Sequence, residues 1–190
     1  MVDLVIKPTP GSGNSVILQD QSGAAVLTTA DSGATIASGV TFPAGHVIQV
    51  QHFVYSTYHN YTTPTTATAT PILKAITPDK DNSRMLVFVN VSMVAHDTTT
   101  NTGQLALYKD IDAGGFNEME RWDMAVRGQG TARGVGAVGV VFYDTVTSLD
   151  ELTYKVYVRN NESSGDIRIN DYSVSAGAPS SSITLMEISV

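Results

Sequence analysis

Four histidines, at positions 46, 52, 59 and 96, and no cysteine are what this 190-residue chain offers a soft metal ion. Without thiolates a ligand set must be built from imidazole and carboxylate. On a continuous strand His46 and His52 share a face, yet at about 3.3 Å per residue they stand roughly 20 Å apart, too far for one ion. One histidine per copy, repeated around a three-fold axis, is the arrangement that brings imidazoles within about 2 Å of a metal. The ordinary alternative is histidine in a turn or a subunit contact, so no metal or other cofactor is expected. The segment DIDAGG, 110–115, opens like a calcium loop, with Asp110 and Asp112 at its first and third places. The twelfth place, where a bidentate glutamate belongs, is Arg121, and a cation there opposes calcium. A solvated turn is the better reading, and Asp79, Asp81 and Asn82 read the same way.

Glycan cleavage needs two carboxylates about 5–10 Å apart in a groove. Glu118, Glu120 and Asp123 offer the groups, but inside a charged segment that reads as solvated surface. GVGAVG at 134–139 fits G-x-G-x-x-G but runs into VVFYD, a strand rather than a helix start, so its glycines serve close packing or a bend. No phosphate-binding P-loop and no nucleophile elbow occurs. The chain therefore reads as non-enzymatic. Tyr55, Tyr58 and Tyr61, beside His59, combine stacking faces with polar tips and are the candidate glycan contacts, against the commoner role of tyrosine in core or interface.

These residues must be positioned by β structure. Charged residues are 15% of the chain, and Thr, Ser, Gly and Asn supply most of its polarity. The formal net charge of −7 repels nucleic acid. No stretch approaches about 18 apolar residues, so no membrane span is expected, and MVDLVIKPTPGSG lacks the pattern of a secretory signal. Residues 14–40 hold a degenerate ten-residue repeat, NSVILQDQSG, AAVLTTADSG and a partial ATIASG, each a short β-branched run closed by Ser-Gly. Three such strands are marginal alone, so this small N-terminal β arm, 1–40, is expected to pack on a partner or on copies of itself, the alternative being a decorated hairpin on the main domain. Its apolar residues Leu4, Ile6, Val16, Leu18 and Val26 are the candidate attachment contacts.

At TFPAGHVIQVQHFVYSTY, 41–58, the character changes: Pro43 and Gly45 make a turn that feeds a long strand, which must bend or bulge. TTPTTATATP, 62–71, lacks periodicity and reads as a loop or extended edge, with a short strand over 72–77. RMLVFVNVSMVAH, 84–96, alternates with both faces largely apolar, which implies a packed sheet whose outer face also finds cover. Strands are expected at 104–109, 135–143, 153–160, 166–170 and in the final SSSITLMEISV. The conformation of 116–126 is open, and 127–136 reads as a Gly-rich connection. No helical pattern with caps appears. The chain is expected to be all-β, an antiparallel jelly-roll sandwich over 41–190 with about eight to ten strands in all.

The segments SVILQDQSGAAVLTTADSGATIASGVTFPAGHVIQV (15–50), ITPDKDNSRMLVFVNVSM (76–93) and SITLMEISV (182–190) resemble small β-rich virion proteins of tailed bacteriophages. The junction FPAGH, the later ITP and the closing TLMEI look like a tumour-necrosis-factor-like jelly roll. That resemblance implies a homotrimer located in the virion, bound to other virion proteins such as the major capsid protein or a tail component. It implies a capsid decoration (cement) protein or a short fibre, with no catalytic residue. The alternative is a receptor-binding tail-fibre module that recognises host surface glycan.

Overall fold

The computed structural model describes residues 14–30, 33–37, 43–96, 101–128, 134–161, 165–171 and 179–190. The chain divides into two compact units, Met1–Pro43 and Ala44–Val190. In the first, β1 (Ile17–Gln19), β2 (Ala25–Ala30) and β3 (Gly33–Ile36) form an antiparallel meander in sequence order. Asp20 shapes the first turn, its Oδ1 accepting the backbone N–H groups of Ser22 and Ala24.

The second unit contains β4 (Val47–Tyr55), β5 (His59–Tyr61), β6 (Thr68–Ile76), β7 (Arg84–His96), β8 (Asn101–Ile111), β9 (Asn117–Gly128), β10 (Gly134–Thr145), β11 (Leu152–Asn160), β12 (Asp166–Ile169) and β13 (Ser181–Ile188). β10 pairs with β7 from residue 84 to 95, filling one edge. The other edge of β7 is shared in tandem: β13 pairs with residues 84–90 and β12 with residues 93–96. Beyond them lie β4, against β13, and β5, against β12. One sheet therefore reads β4-β13-β7-β10, extended by β5 and β12, and the other reads β6-β11-β8-β9. Every pairing is antiparallel, and the chain crosses repeatedly between the sheets, which is a jelly roll.

The core follows from period-two patterning. Met85, Val87, Val89, Val91 and Met93 of β7 and Ile183 and Leu185 of β13 face Leu105, Leu107, Leu152, Val156 and Val158 of the opposite sheet, all of them buried. Phe53, Trp122, Val140 and Phe142 pack around this cluster.

All-β, antiparallel architecture was expected and is found, with no helix among the described residues. The expected eight to ten strands become thirteen, with β5 split off beyond the junction strand and β9 formed by the segment whose conformation the sequence leaves open. The Thr/Ala/Pro tract expected as loop or extended edge is, from Thr68 onward, the edge strand of its sheet, laddered by β11. The open segment 116–126 lies mostly in β9. Of the Gly-rich connection, residues 127 and 128 end β9, residues 134–136 start β10, and residues 129–133 lie outside the described residues. The long junction strand is interrupted between Tyr55 and His59, where the expected bend falls.

Candidate interaction surface

The two outer faces of the sandwich differ in chemistry. In the β4-β13-β7-β10 sheet, residues alternate with the buried ones and point away from the core. Val50, Met186, Leu86 and Tyr143 stand in one row across all four strands. The next row is His52, Thr184, Phe88 and Val141, and the one after is Val54, Ser182, Asn90 and Gly139. Val50, Val54, Val141 and Tyr143 are 49%, 51%, 60% and 58% exposed, so the apolar surface is open rather than shielded by neighbours. None of these three rows holds a formal charge; the charges of this outer face lie beyond them, Arg84 at one margin, whose guanidinium lies 5.6 Å from the Tyr143 ring centroid and donates to the Thr145 hydroxyl, and the Arg168–Asp166 pair on β12 at the other. The first row is wholly apolar and the other two mix apolar with uncharged polar residues, so these rows lack the interspersed charge of a solvated face.

The outer face of β6-β11-β8-β9 is the reverse. Tyr108 and Tyr157 stack with centroids 3.9 Å apart, and Lys155 Nζ sits 5.3 Å from the Phe116 ring centroid. Arg121 donates to both oxygens of Glu118, at 3.1 and 2.6 Å, and the Tyr108 hydroxyl donates to Glu118 at 2.6 Å. Arg121, then Tyr108, hold the Glu118 carboxyl below the usual carboxylate range. Asp123 accepts from the Gln104 side-chain amide. Here charges are present and paired, as on a surface that stays in water.

The candidate carboxylates are thus distributed along β9. Glu118 is ion-paired, Asp123 is bonded to Gln104, and Glu120 is exposed. DIDAGG is a turn: Asp112, Ala113 and Gly115 have φ of 49°, 55° and 112°, and Asp110 Oδ1 accepts the Gly115 N–H. GVGAVG lies inside β10. The histidines are dispersed. His46 precedes β4, and His52 lies on the apolar outer face with Nδ1 2.7 Å from the Thr184 hydroxyl. The His59 ring on β5 lies tilted against Tyr61 with centroids 4.5 Å apart, and His96 ends β7. Among the described residues no cluster of three or more His, Asp or Glu side chains is placed to hold a metal.

Tyr61 is buried at 6% exposure, and burial followed by the charge of Tyr55 pushes its hydroxyl well above the ordinary tyrosine value. Tyr55 packs half-buried on the core, so Tyr58, in the bend between β4 and β5, is the most exposed of the three candidate glycan contacts. In the arm, Leu18 on β1 and Val26 on β2 are exposed, Val16 is half-buried just before β1, and Leu4 and Ile6 lie outside the described residues.

Three buried polar centres carry no signal in the sequence. Glu187 lies fully buried within a ring of donors from Gln49, Asp79, Lys80 and Ser83. Asp144 receives Lys109 Nζ and the Tyr154 hydroxyl, both at 2.7 Å, linking the two sheets. Asn170, with φ of 53°, donates to the carbonyls of Tyr55 and Thr57 and accepts the Ser181 hydroxyl. Each centre satisfies polar groups that would otherwise be costly inside.

No family model matches the chain, and no curated protein matches it. Among solved structures, Eiger TNF from S. frugiperda is similar at 12% identity, covering 76% of this chain and 92% of that one, with a TM-score of 0.38.

Proposed function

We propose that the protein is a non-enzymatic structural component of a tailed-bacteriophage virion: a homotrimeric capsid decoration protein or short fibre, attached through its N-terminal arm. The observation that carries the assembly is the uncharged apolar outer face of β4-β13-β7-β10. Fully burying a Val, Leu or Phe side chain is worth about 1.5–3 kcal/mol, so a face with Val50, Phe88, Val141 and Tyr143 exposed and Leu86 half-buried among them has a strong drive toward cover. A second copy offers the same uncharged surface, and closed symmetry ends the association without forming filaments. The opposite face, with its paired charges, then remains outside. The virion assignment comes from the sequence resemblance at 15–50, 76–93 and 182–190. Sedimentation of the purified protein is expected to give a trimer. Deleting residues 1–40 is expected to leave that trimer folded but unable to bind particles. A truncated protein that still decorates particles defeats the attachment role.

The exposed ring of Tyr58 favours a second reading, recognition of host surface glycan. Binding on a glycan array, abolished by Tyr58→Ala, supports it, and no binding across many host glycans removes it.

A further inference from the structure

The three uncharged rows of the β4-β13-β7-β10 outer face hold two groups that can titrate, His52 and Tyr143. A phenol gains charge only in alkali, whereas imidazole takes up a proton between about pH 5 and 8. His52 is thus the side chain that brings charge onto these rows near neutrality. It stands on β4 between Val50 and Val54, which are 49% and 51% exposed on the same face, so cover that hides those two valines hides His52 with them. Its ring is exposed, with Nδ1 2.7 Å from the Thr184 hydroxyl, a contact that neutral imidazole makes as donor or acceptor.

No carboxylate stands beside it in these rows. The outward residues of β13 are Ser182, Thr184 and Met186, those of β7 are Leu86, Phe88 and Asn90, and those of β10 are Gly139, Val141 and Tyr143. Glu187 of β13 points inward, bound by its own donors. β6, packed beside β4, carries Lys74, which is a cation and lies in register with inward-facing Tyr154. The charges of the outer face are Arg84 at one margin and Asp166 at the other, the latter already paired with Arg168.

We infer that His52 makes assembly through this face dependent on pH: copies join with the imidazole neutral, and its protonation in mild acid drives them apart. The switch rests on the homotrimer reading and on this face as the contact. An ionised group taken out of water without a partner is costly, so the covered imidazole stays neutral. A free chain that carries the proton must shed it to assemble. By linkage, association is complete above the imidazole range and weakens as pH falls through it. Identical copies each contribute one such proton, so the effect multiplies across the assembly.

Sedimentation velocity of the full-length protein over a dilution series, at pH 7.5 and at pH 5.5, tests the switch. Trimer association is expected to weaken about 10-fold or more at pH 5.5, with the β-sheet circular dichroism unchanged. His52→Gln and His52→Phe, two neutral replacements, are each expected to associate equally at both pH values. His59→Gln is expected to keep the wild-type response, because His59 pairs with buried Ile169 and so belongs to the other face of the sheet. A wild-type trimer equally strong at both pH values, or a response that persists in both His52 variants, overturns the switch and leaves the trimer standing. A monomer at both pH values overturns the trimer reading and the switch with it.

Discussion

Ser83 and Glu187 lie 104 residues apart in the chain and are joined by a 2.7 Å hydrogen bond from the serine hydroxyl to Oε1. The same carboxylate accepts Lys80 N–H at 3.1 Å, Asp79 N–H at 3.0 Å and the Gln49 amide at 2.8 Å. β13 thereby fixes the turn between β6 and β7. Burial pushes the Glu187 carboxyl up, but the four donors outweigh it and hold the group below the usual carboxylate range. A depressed folded value means that its contribution to stability is complete above the unfolded value, near 4.5, and is lost as pH falls through the folded value. Glu187→Gln removes the charge and turns an amide group toward donors, so a loss of about 2–3 kcal/mol is expected at pH 7. Denaturant midpoints for both proteins between pH 7 and 3 check this, because the difference must shrink toward acid pH.

Asp144 gives a second test. Its Oδ2 receives Lys109 from β8 and Tyr154 from β11, with the Lys109 and Asp144 side chains 13% and 10% exposed. Burial, then the charge of Asp144, pushes the Tyr154 hydroxyl far above its ordinary value, so it stays a donor across the working pH range. Lys109→Met leaves a nearly buried carboxylate without its cation and is expected to cost about 3 kcal/mol. Tyr154→Phe removes one bond to a charged acceptor and is expected to cost about 1.5–3 kcal/mol. Asp144→Asn combined with Lys109→Met is expected to recover part of the loss, because no uncompensated charge remains. Chemical denaturation of the wild type, Lys109→Met, Asp144→Asn and their combination forms the cycle that measures the coupling.

Leu86 tests the outer face without touching the core. It sits between Met186 and Tyr143 on the uncharged row, pointing away from Met85 and Val87. Leu86→Asp is expected to leave the β-sheet circular dichroism unchanged while weakening self-association by about 2 kcal/mol or more, roughly 30-fold. Sedimentation velocity across a dilution series reads that shift. Phe88→Asp, one row away, is expected to act in the same direction, whereas Leu73→Asp on the opposite sheet is expected to leave association unchanged.

The jelly roll was legible wherever a strand alternates cleanly. RMLVFVNVSMVAH announces β7, both its buried face and its apolar outer face, because the side-chain period is two and no turn residue interrupts it. β9 was illegible because Phe116–Val126 mixes charge with apolar residues and its ladder with β8 carries two register shifts, which break the alternation. The start of β6 was hidden in a Thr/Ala/Pro tract that only its neighbour β11 makes a strand. The polar centres were invisible for another reason. In TLMEI, Glu187 holds an inward position of β13 but looks like any surface glutamate, and its donors come from Gln49 and from 79–83, far away in the chain. Tyr61 shows the same limit, since the pleat that turns it inward is set by pairing with Ile167.

Asn170 closes the bend at the end of the sandwich. Its backbone N–H donates to Ser92 at 3.0 Å, its side-chain amide donates to the carbonyls of Tyr55 at 2.8 Å and Thr57 at 3.2 Å, and its Oδ1 accepts the Ser181 hydroxyl at 2.8 Å. The residue is 1% exposed and holds a left-handed φ of 53°, which asparagine tolerates better than most residues. Asn170→Ala keeps the backbone strain, leaves two carbonyls and a hydroxyl without their partner, and is expected to cost about 2–4 kcal/mol. Asn170→Gly relieves the strain but forfeits the same side-chain bonds, so it is expected to be less damaging than alanine. If the side-chain bonds matter most, both variants expose the β4–β5 bend, and hydrogen exchange of residues 55–61 rises well above wild type. Equal stability of Asn170→Gly and the wild type, with unchanged exchange at the bend, contradicts that role.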